Sequence, residues 1–226
     1  MIDLNAVRAA PVAREPFTYF ACRNTLHPAD LTRISRDFPR IVGTGIHPLH
    51  ELTFGPAFQS LVDDLRSAEF GQLMSEKLGV ALEGRPLMIT VRGYCHRKDG
   101  KIHTDSKDKI ATILLYLNEQ WGNDGANASG CLRLLRSGTD LEDKLAEIPP
   151  HGGTMVAFRR SENSYHGFVP CEAKRSDNSW HGHHPFEGQR RYLMCNWLVS
   201  DAAHVRHSGR HTLSSKIKRL DPRTWF

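Results

Sequence analysis

The sequence predicts an α+β fold that is mainly β, with helices first and an antiparallel, barrel-like sheet core after them. Two observations carry this. Apolar residues recur at helical spacing until Gly79, and from Leu87 the pattern changes to β-branched and apolar runs bounded by glycine or charge. Five such runs separated by loops, with no repeat on the scale of a solenoid, suit a sandwich or barrel.

Taken in order, Phe17 to Cys22 reads as a short strand. Asp30 to Phe38 places Leu31, Ile34 and Phe38 on one helical face, with Pro28 set to open the helix. Phe58, Leu61, Val62 and Leu65 follow i, i+3, i+4, i+7, and Phe70, Leu73, Met74 and Leu78 repeat the stripe up to Gly79. Residues 1–85 are therefore expected to be helical support within the same domain, with no chemistry visible. The strands expected in residues 86–200 are Leu87–Arg92, Ile110–Leu117, Cys131–Leu135, Gly153–Phe158 and Arg191–Val199. In residues 201–226, Leu213, Ile217 and Leu220 at i, i+4, i+7 among Lys216, Lys218 and Arg219 predict a short helix packed on the core with a wet basic face.

Composition bounds the function. The 226 residues are 39% hydrophobic and 24% charged, as in an ordinary globular protein long enough to bury a core. No apolar run approaches the roughly 18–20 residues of a membrane span, and the N-terminus has no basic-then-apolar signal pattern. Five scattered cysteines without a CxxC argue against a disulfide framework or structural zinc and for a cytoplasmic location. The net charge of +5 is concentrated in the tail, and no aromatic-basic platform marks the strands, which disfavours a nucleic-acid partner.

The chemistry begins at Asp99-Gly-Lys-Ile-His103-Thr-Asp105. On an extended segment residues i and i+2 point the same way, so His103 and Asp105 can converge on one ion. With a second imidazole from elsewhere they form the 2-His-1-carboxylate set, which leaves open positions on an octahedral metal for co-substrate and O2. With 13 His and 14 Asp in the chain, chance supplies roughly one HxD, so the pattern gains weight only from its company. That company is a glycine turn before a strand (Gly153 to Phe158), then a histidine, then a strand opening with Arg190-Arg191. An arginine fork suits a buried carboxylate.

His103-Thr-Asp105, Tyr116-Leu-Asn118 followed by Trp121, Gly130-Cys-Leu-Arg-Leu134, Gly153…Phe158 and Arg191-Tyr…Trp197 occur in order. Together they resemble the prolyl-4-hydroxylase-like branch of the 2-oxoglutarate/Fe(II)-dependent dioxygenases over about residues 88–200, and the N-terminal part is similar to that of uncharacterised bacterial members. The resemblance implies a double-stranded β-helix (jelly-roll) core and Fe(II), 2-oxoglutarate and O2 as cofactor and co-substrates. It implies that His103 and Asp105 bind iron, that Arg191 binds the C5 carboxylate of 2-oxoglutarate, that Tyr116 donates its hydroxyl to the same group, and that Thr112 lines the pocket. One departure is Ser129-Gly130-Cys131, where the family has Gly-Gly before the Leu-Arg-Leu strand.

The third ligand has two candidates, because Arg160-Ser-Glu-Asn-Ser-Tyr-His166-Gly and Arg175-Ser-Asp-Asn-Ser-Trp-His181-Gly are near-copies. Spacing from Phe158 favours His166, and spacing to Arg191 favours His181. The expectation goes to His181, with His166 its rival and the loser a loop histidine at or beneath the mouth of the site. Arg92 either pairs with an acid or reaches substrate. Lys101, Lys109, His183 and His184 are expected to be solvated.

The activity implied is hydroxylation of an unactivated C–H with release of succinate and CO2, on a small metabolite or biosynthetic intermediate in preference to a protein. The alternatives are a protein (prolyl-type) hydroxylase on the same scaffold and a non-catalytic metal-binding β-barrel, for which the arginine pocket would be dispensable.

Overall fold

The computed structural model describes residues 1–41, 43–95, 99–119, 121, 130–168, 173–174, 180–181 and 189–220, and of 173–174, 180–181, 189, 215 and 217–220 the backbone alone. The first part is α1 (Leu4–Ala9), β1 (Tyr19–Cys22), α2 (Pro28–Arg36), β2 (His47–Pro48), α3 (Pro56–Arg66) and α4 (Ala68–Leu78). Then come β3 (Leu87–Tyr94), β4 (Lys109–Tyr116), β5 (Leu132–Leu135), β6 (Lys144–Ile148), β7 (Met155–Arg159) and β8 (His166–Phe168). β9 (Ala173–Lys174), β10 (Trp180–His181), β11 (Gln189–Leu198) and α5 (Asp201–Leu220) complete the chain. The fold is mixed and mainly β, and its strands pair antiparallel.

Local chemistry sets the helix ends. Pro28 begins α2, where a missing N–H costs nothing, and His27 caps it through Nδ1, which accepts from the Ala29 amide at 3.2 Å. Ser67 caps α4 at the Phe70 amide, and Gly79 closes it at φ +63°, a left-handed conformation that glycine adopts without a Cβ clash.

A six-stranded sheet runs β1-β7-β4-β11-β3-β2, and a three-stranded sheet runs β6-β5-β8. Alternation along the large sheet separates two cores. Ile89, Val91, Ile113, Leu115, Met155, Ala157, Leu193, Cys195 and Trp197 face the helices and pack with Phe58, Leu61, Leu65, Phe70, Leu73 and Met74, the two stripes expected from spacing. Leu114, Tyr116, Val156, Phe158, Tyr192 and Met194 face the small sheet and pack with Leu132, Leu134 and Ile148. The order is helices, large sheet, small sheet, and the space between the sheets is where a cavity can open.

Of the stripe expected in the C-terminal helix, Leu213 is 62% exposed, and the side chains of Ile217 and Leu220 lie outside the described residues; Ala203 and His207, one turn apart, are the buried positions among those described. Arg206 and His207 both reach Asp108, at 2.9 and 3.2 Å, so an ion pair and an imidazole contact hold the first half of the helix at the entrance to β4. Among the described residues no helix is long and apolar enough to cross a membrane.

Candidate metal centre and active site

Two extended segments create the centre. His103 and His166 sit opposite each other as an antiparallel pair that exchanges both backbone hydrogen bonds, at 3.0 and 2.9 Å, and their rings lie 4.3 Å apart. The approach depends on Gly100 at φ +93°, where a Cβ would stand 2.4 Å from the Phe168 carbonyl oxygen. Asp105, two residues on, turns to the same side as His103. One ligand atom from each of His103, Asp105 and His166 lies within 4.8 Å of the others, with Asp105 and His166 buried.

The donor atoms are prepared for a cation. Nδ1 of His103 lies 2.8 Å from the Lys101 carbonyl and Nδ1 of His166 lies 3.0 Å from the Ser164 carbonyl. A carbonyl can only accept, so each Nδ1 carries the proton and each Nε2 presents a lone pair, the orientation that metal-binding imidazoles use. Burial holds the His166 imidazole down to about 4, against the pull of Asp105, so it is neutral near pH 7. Burial alone would raise the Asp105 carboxyl, but the Lys109 ammonium, His166 and hydrogen bonds from Lys109 and Thr112 outweigh it and hold it at about 2. Lys109 donates to Asp105 Oδ1 at 2.6 Å and Thr112 to Oδ2 at 2.5 Å, and each oxygen keeps a further lone pair for a metal. Two imidazoles that turn Nε2 to the same cavity and one ionised carboxylate fit iron(II), which takes mixed nitrogen and oxygen donors.

These values make the metal-free protein acid-sensitive. The unfolded chain takes up a proton at His166 from roughly pH 6.5 downward, whereas the folded chain resists to about 4. The unfolded state binds more protons across that window, so stability is full above it and falls as pH drops through it. Asp105 adds a second loss from its ordinary value of 3.8 down to about 2. Thermal melts of metal-free protein should show Tm falling between pH 6.5 and 4, with a shallower fall in His166→Asn. Equal slopes would contradict the assignment.

The cavity beside the centre measures about 340 Å3 and takes in His103, Asp105, Thr112, His166, Arg190 and Tyr192. Arg190 is 1% exposed, donates from Nη2 to the Tyr116 hydroxyl at 2.9 Å and from Nε to the Gly130 carbonyl at 3.1 Å, and stacks on Phe168. Burial raises the Tyr116 hydroxyl far beyond its ordinary value although Arg190 pulls it down, so it remains a proton donor. A larger cleft, about 680 Å3, lies on the helical side around Arg66, Gln72 and Trp197 and holds none of the expected site residues.

Several expected residues stand elsewhere. Arg191 turns away from the cavity: its guanidinium donates to Ser35 Oγ at 3.1 Å and lies 4.9 Å from the Phe38 ring. It shares its face with Leu193, Cys195 and Trp197, against the helices, while Arg190 shares the inner face with Tyr192 and Met194. β11 carries one extra residue against β3 between Gln189 and Tyr192, beside this pair, as strands next to active sites often do. Thr112 is buried on the inner face as expected, but its hydroxyl serves Asp105 and lies 3.0 Å from Asn196 Oδ1. His166 takes part in the centre. The side chain of His181 lies outside the described residues, as do His183, His184 and the loop 122–129. Lys101 is exposed as expected, whereas Lys109 is 11% exposed and ion-paired to Asp105. Its spacing of four from Asp105 was the one available signal.

Residues 89–199, from β3 to the end of β11, match the family model described as the 2OG-Fe(II) oxygenase superfamily. The span carries every residue of the centre and the cavity named above. Solved structures resembling the chain include a Pseudomonas putida prolyl-4-hydroxylase, at 16% identity over 81% of this chain and 93% of that one with a TM-score of 0.47. AviO1 from Streptomyces viridochromogenes Tue57 follows at 12% identity, 81% and 91% coverage and a TM-score of 0.46. A Trichoplax adhaerens prolyl hydroxylase, in complex with a hypoxia inducible factor oxygen degradation domain peptide fragment, has 17% identity, 83% and 86% coverage and a TM-score of 0.45. No curated protein matches the sequence. With its matched span coinciding with the sheets that build the centre, the chain belongs to the 2OG-Fe(II) oxygenase superfamily and is a 2-oxoglutarate-dependent dioxygenase that uses iron(II), 2-oxoglutarate and O2.

Proposed function

We propose that the protein hydroxylates an unactivated C–H of a small metabolite or biosynthetic intermediate, with His103, Asp105 and His166 holding the iron. The observation that carries this reading is the convergence of these three side chains on a cavity that Arg190 also lines, with the Tyr116 hydroxyl hydrogen-bonded behind Arg190. The two facing antiparallel sheets fit a double-stranded β-helix, in which such a cavity lies between the sheets. When bound, iron(II) with 2-oxoglutarate and O2 supplies the oxidant for the C–H bond, while 2-oxoglutarate goes to succinate and CO2.

The chain's own residues orient and insulate. Arg190 and the Tyr116 hydroxyl receive the C5 carboxylate of 2-oxoglutarate, a charged group that needs both a cation and a donor when it leaves water. Thr112 and Lys109 hold the Asp105 carboxylate in place, and the Lys101 and Ser164 carbonyls hold the two imidazoles. Phe158, Phe168, Leu114 and Met194 line the space and limit water around the reacting carbon. A cavity of about 340 Å3, near the lower end for ligand pockets, suits a small substrate. The buried thiols of Cys22, Cys95, Cys131 and Cys195 suit the cytoplasm.

The test is succinate formation from 2-oxoglutarate by purified protein under air. It should require added Fe(II), stop with a chelator, and fall to background in Asp105→Ala. Succinate formation that persists in Asp105→Ala or without iron would refute the assignment of the centre.

A further inference from the structure

Arg92 is a second buried cation in the same cavity. It stands on β3, beside β11, and is 8% exposed. Both it and Arg190 lie against the Tyr192 ring, with guanidinium carbons 5.9 and 5.2 Å from the ring centre. Nη1 of Arg92 donates to Asp99 Oδ2 at 2.5 Å and to the Cys95 sulfur at 3.6 Å. Nε, on the opposite edge of the fork, is buried and has no partner among the described residues.

A buried donor without an acceptor is destabilising, so an arginine that served only to fix Asp99 would be poorly placed here. The edge that carries Nε matches a carboxylate, which accepts from a planar fork. 2-Oxoglutarate does not need it: its far carboxylate has Arg190 and Tyr116, and its oxoacid end belongs at the metal. Asp99 already offsets much of the Arg92 charge, which favours a singly charged ligand group over a phosphate dianion. The volume has to be shared with 2-oxoglutarate, which keeps the remaining occupant small.

We propose that Arg92 is the substrate anchor, and that the substrate is a small molecule carrying a carboxylate that docks on the Nε edge. This rests on the iron and 2-oxoglutarate sites proposed above. The experiment therefore begins with the anaerobic Fe(II)–2-oxoglutarate charge-transfer band in wild type and Arg92→Gln, which reports on those sites alone. Succinate formation is then followed in wild type with the proteinogenic L-amino acids and simple aliphatic carboxylic acids, each beside its carboxamide.

The expected result is stimulation by one or more acids and not by their amides. In Arg92→Gln the band should remain and the apparent KM for that acid should rise roughly 30-fold or more, with partial recovery in Arg92→Lys. The acid-against-amide comparison in wild type stands even where Arg92→Gln fails to fold. Equal stimulation by acids and amides, no stimulation by any acid, or an unchanged KM in a folded Arg92→Gln would overturn the proposal. A band lost in Arg92→Gln would make Arg92 a co-substrate residue and overturn it too. A wild type without a band would mean that the underlying centre had failed, and the substrate anchor with it.

Discussion

His166→Ala should lower Fe(II) affinity by at least about 100-fold, while His181→Ala leaves it unchanged. Loss of an outer partner of a metal ligand already costs roughly 10–100-fold, and loss of the ligand itself costs more. His166 is bound to His103 by two backbone hydrogen bonds, its ring is 4.3 Å from that of His103, and its Nδ1 is occupied by the Ser164 carbonyl. The near-copy around His181 instead contributes β10, whose backbone pairs with β9 in a separate two-stranded sheet. Isothermal titration of Fe(II) into anaerobic protein distinguishes the two. Loss of binding in His181→Ala with retention in His166→Ala would move the third ligand to the second copy.

Arg190→Met should be the more damaging of the two arginine substitutions. Removing one partner of a buried charged hydrogen-bond pair costs about 2–5 kcal/mol. In 2-oxoglutarate affinity that is roughly 30-fold to several thousand-fold. Arg191→Met removes a half-buried contact with Ser35 and Phe38, on the far side of the sheet from the cavity, and should leave the co-substrate affinity near that of wild type. Titration of 2-oxoglutarate into the anaerobic iron-loaded protein measures both. A large loss in Arg191→Met alone would restore the residue that the family resemblance implies.

The contrast between these arginines shows how far the sequence is legible. Face assignment needs only period-2 alternation, and it works for Thr112, Leu114 and Tyr116 on β4, where the pairing with β11 and β7 is regular. It works on β11 as well, where alternation alone puts Arg191 with Leu193, Cys195 and Trp197 on the helical face; Arg191 was expected at the co-substrate from the family resemblance and not from that alternation. The helical stripes of α3 and α4 were readable because each apolar side chain is buried and the spacing is unbroken. β6 was not, since Lys144-Leu-Ala-Glu-Ile148 is half-buried at a sheet edge and its charges answer Arg133. His103 and Asp105 were readable together because their convergence is local. The third ligand was not, because two near-identical segments carry the same local signal and only tertiary pairing separates them. Lys109 reads as a surface lysine until the fold brings its ammonium to Asp105.

The central claim is that one cavity holds iron on His103, Asp105 and His166 and the far carboxylate of 2-oxoglutarate on Arg190 and Tyr116. Anomalous scattering at the iron edge, from crystals grown anaerobically with Fe(II) and 2-oxoglutarate, tests it most directly. One strong peak is expected, bounded by those three side chains, with the C5 carboxylate of 2-oxoglutarate between Arg190 and Tyr116. A peak held by His181, or a 2-oxoglutarate whose far carboxylate lies on Arg191 or Arg92, would contradict it.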